Sequence, residues 1–118
     1  MSNRAIAGQC RTIHPRAIAA LGERICIAML GVARDLRSGA IVPEKFNMRT
    51  SYGTARCIFG HMQLRLSDDD GGKLRKTWLS RNYGLTNLFD GGSPSDPQLA
   101  ARAIERYVYD GADDPWGV

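Results

Sequence analysis

Two cysteine–histidine pairs share one spacing in this chain: Cys10 with His14, and Cys57 with His61, each four positions apart. Thiolate and imidazole are zinc ligands, and two of each complete a tetrahedral structural set. Positions four apart share a helix face, so Cys57 and His61 can address one ion. Zinc ribbons and fingers, however, are usually marked by tightly spaced cysteine knuckles. The simpler reading makes Cys57 a small buried hydrophobe and His61 a partner in a core hydrogen bond. The same pair offers a nucleophile and a base, because a cation favours the thiolate and Arg56 precedes Cys57. Residues four apart on one helix rarely reach attack geometry, and no third orienting residue is evident. The chain is therefore read as a protein without enzymatic activity.

A second group lies further on. Residues 73–83 interleave Lys73, Arg75, Lys76 and Arg81 with Trp78 and Tyr83. Cations for phosphate and rings for stacking are the composition of a nucleic-acid contact. The alternative is an amphipathic helix with Trp78 inward and its basic side in water, and no complete helix-turn-helix or RNA-recognition motif frames the segment. Just before it, Asp68-Asp69-Asp70-Gly71-Gly72 lacks the alternation and closing glutamate of a calcium loop, and reads as a solvated turn. Gly71-Gly72-Lys73 lacks the frame of a phosphate-binding loop.

The elements that must position these groups are helical. From Pro15 to Ser38, Ile18, Leu21, Ile25, Ala28 with Met29, Val32 and Leu36 recur at three-and-four spacing, which predicts one long helix closed by Gly39. Residues 40–53 form a connection whose Ile41, Val42, Phe46 and Met48 can dock on the core. A second helix is predicted over Thr54–Leu66 and a short third over Lys73–Asn82, ended by Tyr83-Gly84. Leu85, Leu88 and Phe89 follow as a short apolar segment. The last helix opens with Asp96 as N-cap and Pro97 in its first turn, buries Leu99, Ala100, Ala103, Ile104, Tyr107 and Val108, and closes at Gly111. The expected fold class is all-α: a single domain over residues 1–118, built as a compact bundle of about four helices with irregular connections. Residues 1–14 are expected to be irregular, and residues 112–118 form an acidic tail with Trp116.

With the helices placed, the order of motifs resembles a group of small uncharacterised proteins of bacteria and phages. The resemblance rests on Phe46-Asn47-Met48, on Gly53-Thr54-Ala55-Arg56-Cys57-Ile58-Phe59-Gly60-His61, and on Tyr83-Gly84-Leu85-Thr86, and covers roughly residues 40–108. Arg49-Thr50-Ser51-Tyr52 departs from the Trp and Cys those proteins tend to carry. The resemblance implies a fold and a bacterial or phage origin, and adds nothing about catalysis.

Composition sets the remaining bounds. The 118 residues carry a formal net charge of +4, made by 13 Arg and 3 Lys against 12 acids. That total hides an asymmetry: residues 1–89 hold 14 basic and 6 acidic groups, a net +8, and residues 90–118 hold 2 basic and 6 acidic groups, a net −4. Three cysteines fit a reducing cytoplasm better than a disulfide scaffold. The longest apolar stretch, Ile25–Ala33, falls far short of the roughly 20 residues of a membrane span. The expectation is a cytoplasmic interaction protein that binds a protein partner through Arg, Trp and Tyr anchors. The alternatives are nucleic-acid binding through Lys73–Tyr83, with Arg16 and Arg24 alongside, and a zinc-stabilised module using Cys10, His14, Cys57 and His61.

Overall fold

One glycine divides the long helix expected at the start of the chain. Gly22 has φ +85° and ψ 162°, a backbone region open in practice to glycine alone. Helix α1 (Pro15–Leu21) therefore stops there and α2 (Glu23–Ser38) begins. The computed structural model describes residues 12–49, 56–80, 82–90 and 96–117, without the side chain of Tyr83. Cys10 and Arg81, and the predicted helix start at Thr54, lie outside those residues.

The apolar stripe of α2 is buried as its spacing requires, through Ile25, Cys26, Met29, Val32, Ala33 and Leu36, while Ile18 of α1 stays partly in water. Gly39, left-handed at φ +86°, closes α2. The last carbonyls of α2 receive outside help, because the Gln98 side-chain amide donates to Leu36 O and Arg37 O, each at 3.3 Å. A short 3-10 turn at Pro43–Lys45 then leads to Phe46, which is buried, with Ile41 and Met48 packed at the core's edge. Phe46 and Arg56 form an isolated parallel bridge that closes the connection on itself.

Helix α3 (Ile58–Arg65) starts at an N-cap on Cys57, later than the expected Thr54. Two further expectations are corrected. The acidic run is no turn: Ser67 caps α4 (Asp68–Leu79), its Oγ accepting the Asp70 N–H at 3.2 Å. Three aspartates in a first turn oppose the positive end of the helix dipole, which favours this start. Tyr83-Gly84 does not end a helix but opens α5 (Tyr83–Asp90), with Asn82 Oδ1 accepting the Leu85 N–H at 3.0 Å. Helix α6 (Pro97–Asp110) matches its prediction at both ends, but Leu99, expected on its buried face, is 45% exposed. Asp96 accepts the Gln98 and Leu99 N–H groups at 2.8 and 3.2 Å, and Gly111 closes it at φ +63°.

Six α-helices thus stand among the described residues where about four were expected; the division at Gly22 and the helical segment 83–90 make the difference. The all-α expectation holds, and no strand occurs among the described residues. One apolar cluster draws on all six helices, and α2 packs most extensively on α6. The Cα radius of gyration of 13.4 Å matches the ~13.5 Å expected of a compact chain this long. No described helix is long and apolar enough to cross a membrane.

Candidate interaction surface

The four ligand-type residues of the paired spacing are put to backbone use wherever the structure describes them. His14 caps α1, its Nδ1 accepting the Arg16 N–H at 3.0 Å. Cys57 caps α3, its Sγ accepting the Gly60 N–H at 3.4 Å. His61, 8% exposed, sits one turn on with Nε2 at 2.8 Å from Lys45 O. A carbonyl only accepts, so Nε2 carries the proton and donates it. The ring also stacks on Phe46 at a centroid separation of 6.3 Å. Among the described residues no three His, Cys, Asp or Glu side chains gather as metal ligands.

His61 therefore pins the connection ahead of α3 to the helix itself. His61→Ala removes one of the two donors to the Lys45 carbonyl, leaving the Arg56 N–H at 3.1 Å, and opens space beside Phe46, and is expected to lower stability by about 2 kcal/mol. Urea unfolding of the two proteins reads the difference. A midpoint unchanged by the substitution would refute the pinning role.

The basic–aromatic segment divides by side. Lys73, Arg75 and Lys76 are exposed on α4. Trp78 turns inward against Phe59 and Phe89, with centroids at 4.9 and 5.3 Å, and Phe59 meets Phe89 at 5.4 Å. Trp78 is thus partly buried and packs against the core. The acidic tail goes elsewhere as well. Arg16 donates to Gly111 O at 3.0 Å and pairs with Asp113 at 2.6 Å, while Asn87 Nδ2 reaches Asp113 O at 2.5 Å. Trp116 Nε1 donates to Leu88 O at 3.0 Å, and Arg106 donates to the carbonyls of Pro115 and Gly117. Those contacts seat residues 111–117 on α1, α5 and α6, so the cations of α4 keep their open face.

A groove that the sequence reading did not single out runs along the outer face of α2. It encloses about 860 Å³. Ile27, Ala28, Leu30 and Gly31 make its floor and Arg24, Arg34 and Arg37 its margins, with Arg65 from α3 and Glu105 and Tyr109 from α6 completing the walls. Ile27 is 56% exposed. The bare backbone at Gly31 makes room for a cation, since a Cβ there would stand 2.7 Å from the Arg65 guanidinium.

Every arginine of the groove has an acidic neighbour. Arg24 holds Asp70 through two hydrogen bonds of 2.9 and 2.7 Å, and Arg37 holds Glu105 through two of 2.9 and 2.5 Å. Arg65 pairs with Asp35, and Arg34 approaches the same carboxylate at 3.9 Å. The Arg24 guanidinium keeps the Asp70 carboxyl below the ordinary carboxylate range, and Arg24 and Arg37 are shifted up by the same hydrogen bonds. Arg24 and Arg34 keep most of their side chains in water, so their guanidinium groups can turn to an incoming acid.

The signal for the groove was present in the sequence. Arg24, Ile27, Ala28, Gly31, Arg34 and Ser38 form a second three-and-four stripe on the helix that carries the core stripe. No protein-family model, no curated protein and no solved structure matches this chain.

Proposed function

We propose that the protein is a small non-enzymatic binding module whose working surface is the α2 groove, and that its partner is another protein. The observation that carries this reading is an exposed apolar floor, centred on Ile27, between arginines on one accessible helix face. Apolar anchors ringed by Arg are the composition of protein interfaces. The two thiols among the described residues agree with a binding role. Cys26 is fully buried and its thiol is pushed up to about 11, and the Cys57 sulfur is occupied in capping α3.

Selection of peptides from a random library tests the reading. Peptides enriched on the parent protein are expected to lose binding to Ile27→Asp, a substitution at an exposed position that leaves the fold intact. A selection whose binders ignore Ile27→Asp would sink the proposal. Nucleic-acid binding through α4 is the second reading, supported by the exposure of Lys73, Arg75 and Lys76 on one helix. Oligonucleotide affinity that falls steeply with salt and disappears in a Lys73→Glu, Lys76→Glu variant would favour it over the groove.

A further inference from the structure

We infer that the α2 groove receives an acidic amphipathic helix of a partner protein, an inference that rests on reading the groove as a protein-binding surface. The dimensions suit a helix. Arg24 and Arg37 are 13 positions apart on α2, which at ~1.5 Å per residue separates the two ends of the groove by about 20 Å. A partner helix of about 13 residues spans that length and presents anchors at i, i+3 or i+4 and i+7 to the floor. Ile27, Ala28 and Leu30 supply the apolar surface those anchors need.

The charge is specific. Four guanidinium groups line the groove, and the three carboxylates paired with them, Asp35, Asp70 and Glu105, leave a net positive charge of about one. Arg24 and Arg34 stand furthest into water, with 83% and 76% of their side chains exposed. Carboxylates flanking the anchors of an incoming helix meet these two first, and planar guanidinium accepts them bidentately. A basic helix would face like charge along both margins. Nucleic acid fits less well: phosphates have no use for an aliphatic floor, and Asp35, Asp70 and Glu105 interrupt the cations that a backbone would follow.

Three labelled peptides of about 15 residues, sharing one apolar register and differing only in flanking Glu, Gln or Lys, separate the outcomes by titration against the full chain with amide resonances observed. The acidic peptide is expected to shift the resonances of residues 24–37 and to bind about tenfold tighter than the neutral one, with the advantage shrinking as salt rises. Arg34→Glu should remove most of that advantage, Ile27→Asp should abolish binding, and Lys76→Glu on α4 should change neither. Equal binding by the acidic and neutral peptides would overturn the inference, and so would tighter binding by the basic one. If library peptides still depend on Ile27 in that event, the groove remains a protein-binding surface and only its charge preference falls. A single-stranded oligonucleotide that shifts the same resonances and displaces the acidic peptide would overturn the inference in favour of nucleic acid.

Discussion

Stability is expected to fall steadily once the pH passes 9. Two buried groups produce the effect. The Cys26 thiol, on the core face of α2, is raised from 9.0 to about 11, chiefly by burial, with Glu23 adding to it. The Tyr107 phenol, on the core face of α6, is raised from 10.0 to about 12, again chiefly by burial. Both groups hold their protons longer in the folded chain than in the unfolded one. The unfolded state therefore binds fewer protons as the pH rises, and the sign of the linkage is a loss of stability with increasing pH.

The loss is absent below about pH 9, grows with Cys26 between roughly 9 and 11, and gains the Tyr107 contribution between roughly 10 and 12. Each two-unit shift is worth about 2–3 kcal/mol, so the pair removes about 5 kcal/mol. That is comparable with the whole stability of many small domains. Urea unfolding at a series of pH values measures it. Cys26→Ala should delay the onset by about one pH unit, and Tyr107→Phe should remove the later part of the decline. Parallel declines in the parent and Cys26→Ala, starting at the same pH, would show that the buried thiol plays no part.

The second large effect comes from a glycine that no cation or turn explains. Gly84 lies in the first turn of α5, and a Cβ there would stand 2.8 Å from the Ala112 carbonyl oxygen and 2.9 Å from the Tyr107 ring. The obstacle is backbone on one side and a buried ring on the other, so neither can step aside cheaply. Gly84→Ala is expected to cost about 2–3 kcal/mol, and to lower the melting temperature by about 10 °C, despite the better helix propensity of alanine. Gly72 provides the internal comparison. It also lies in a helix, α4, but nothing stands within 4 Å of its Cβ position. Gly72→Ala should therefore stabilise by up to about 1 kcal/mol. Thermal melts of the two variants must move in opposite directions; a Gly84→Ala melt at the parent temperature would disprove the close approach.

These glycines also show where the sequence could be read and where it could not. Helix α6 was legible at both ends because Asp96, Pro97 and Gly111 act through local backbone chemistry. The buried stripe of α2 was legible because period alone determines it. Gly22 was not, since a glycine inside a helical pattern weighs against helix by only about 1 kcal/mol and its φ is not written in the sequence. Three aspartates and two glycines read as a turn by composition, yet Ser67 ahead of them marks a capped helix start. The functional surface divides in the same way. Arg24, Ile27, Gly31 and Arg34 form a stripe visible on α2, whereas Arg65, Glu105 and Tyr109 reach the groove only through tertiary packing. His14, Cys57 and His61 have the types of metal ligands, and the Arg16 N–H, the Gly60 N–H and the Lys45 carbonyl that they face were not legible in the sequence.

The seam between the first helix and the last bears on how the chain folds. His14 N–H donates to Val108 O at 2.8 Å, and Arg16 reaches across 95 positions of sequence to the Gly111 carbonyl. Together with the packing of α2 on α6, this closes the molecule into a ring whose joint forms between its most distant parts. Helical bundles fold fast when their contacts are local, and each long closure imposes an entropic cost before any contact can repay it. During synthesis the apolar face of α2 waits for α6, which emerges after the five helices before it. Until that helix emerges, Ile25, Met29, Val32 and Leu36 lack the surface that covers them most.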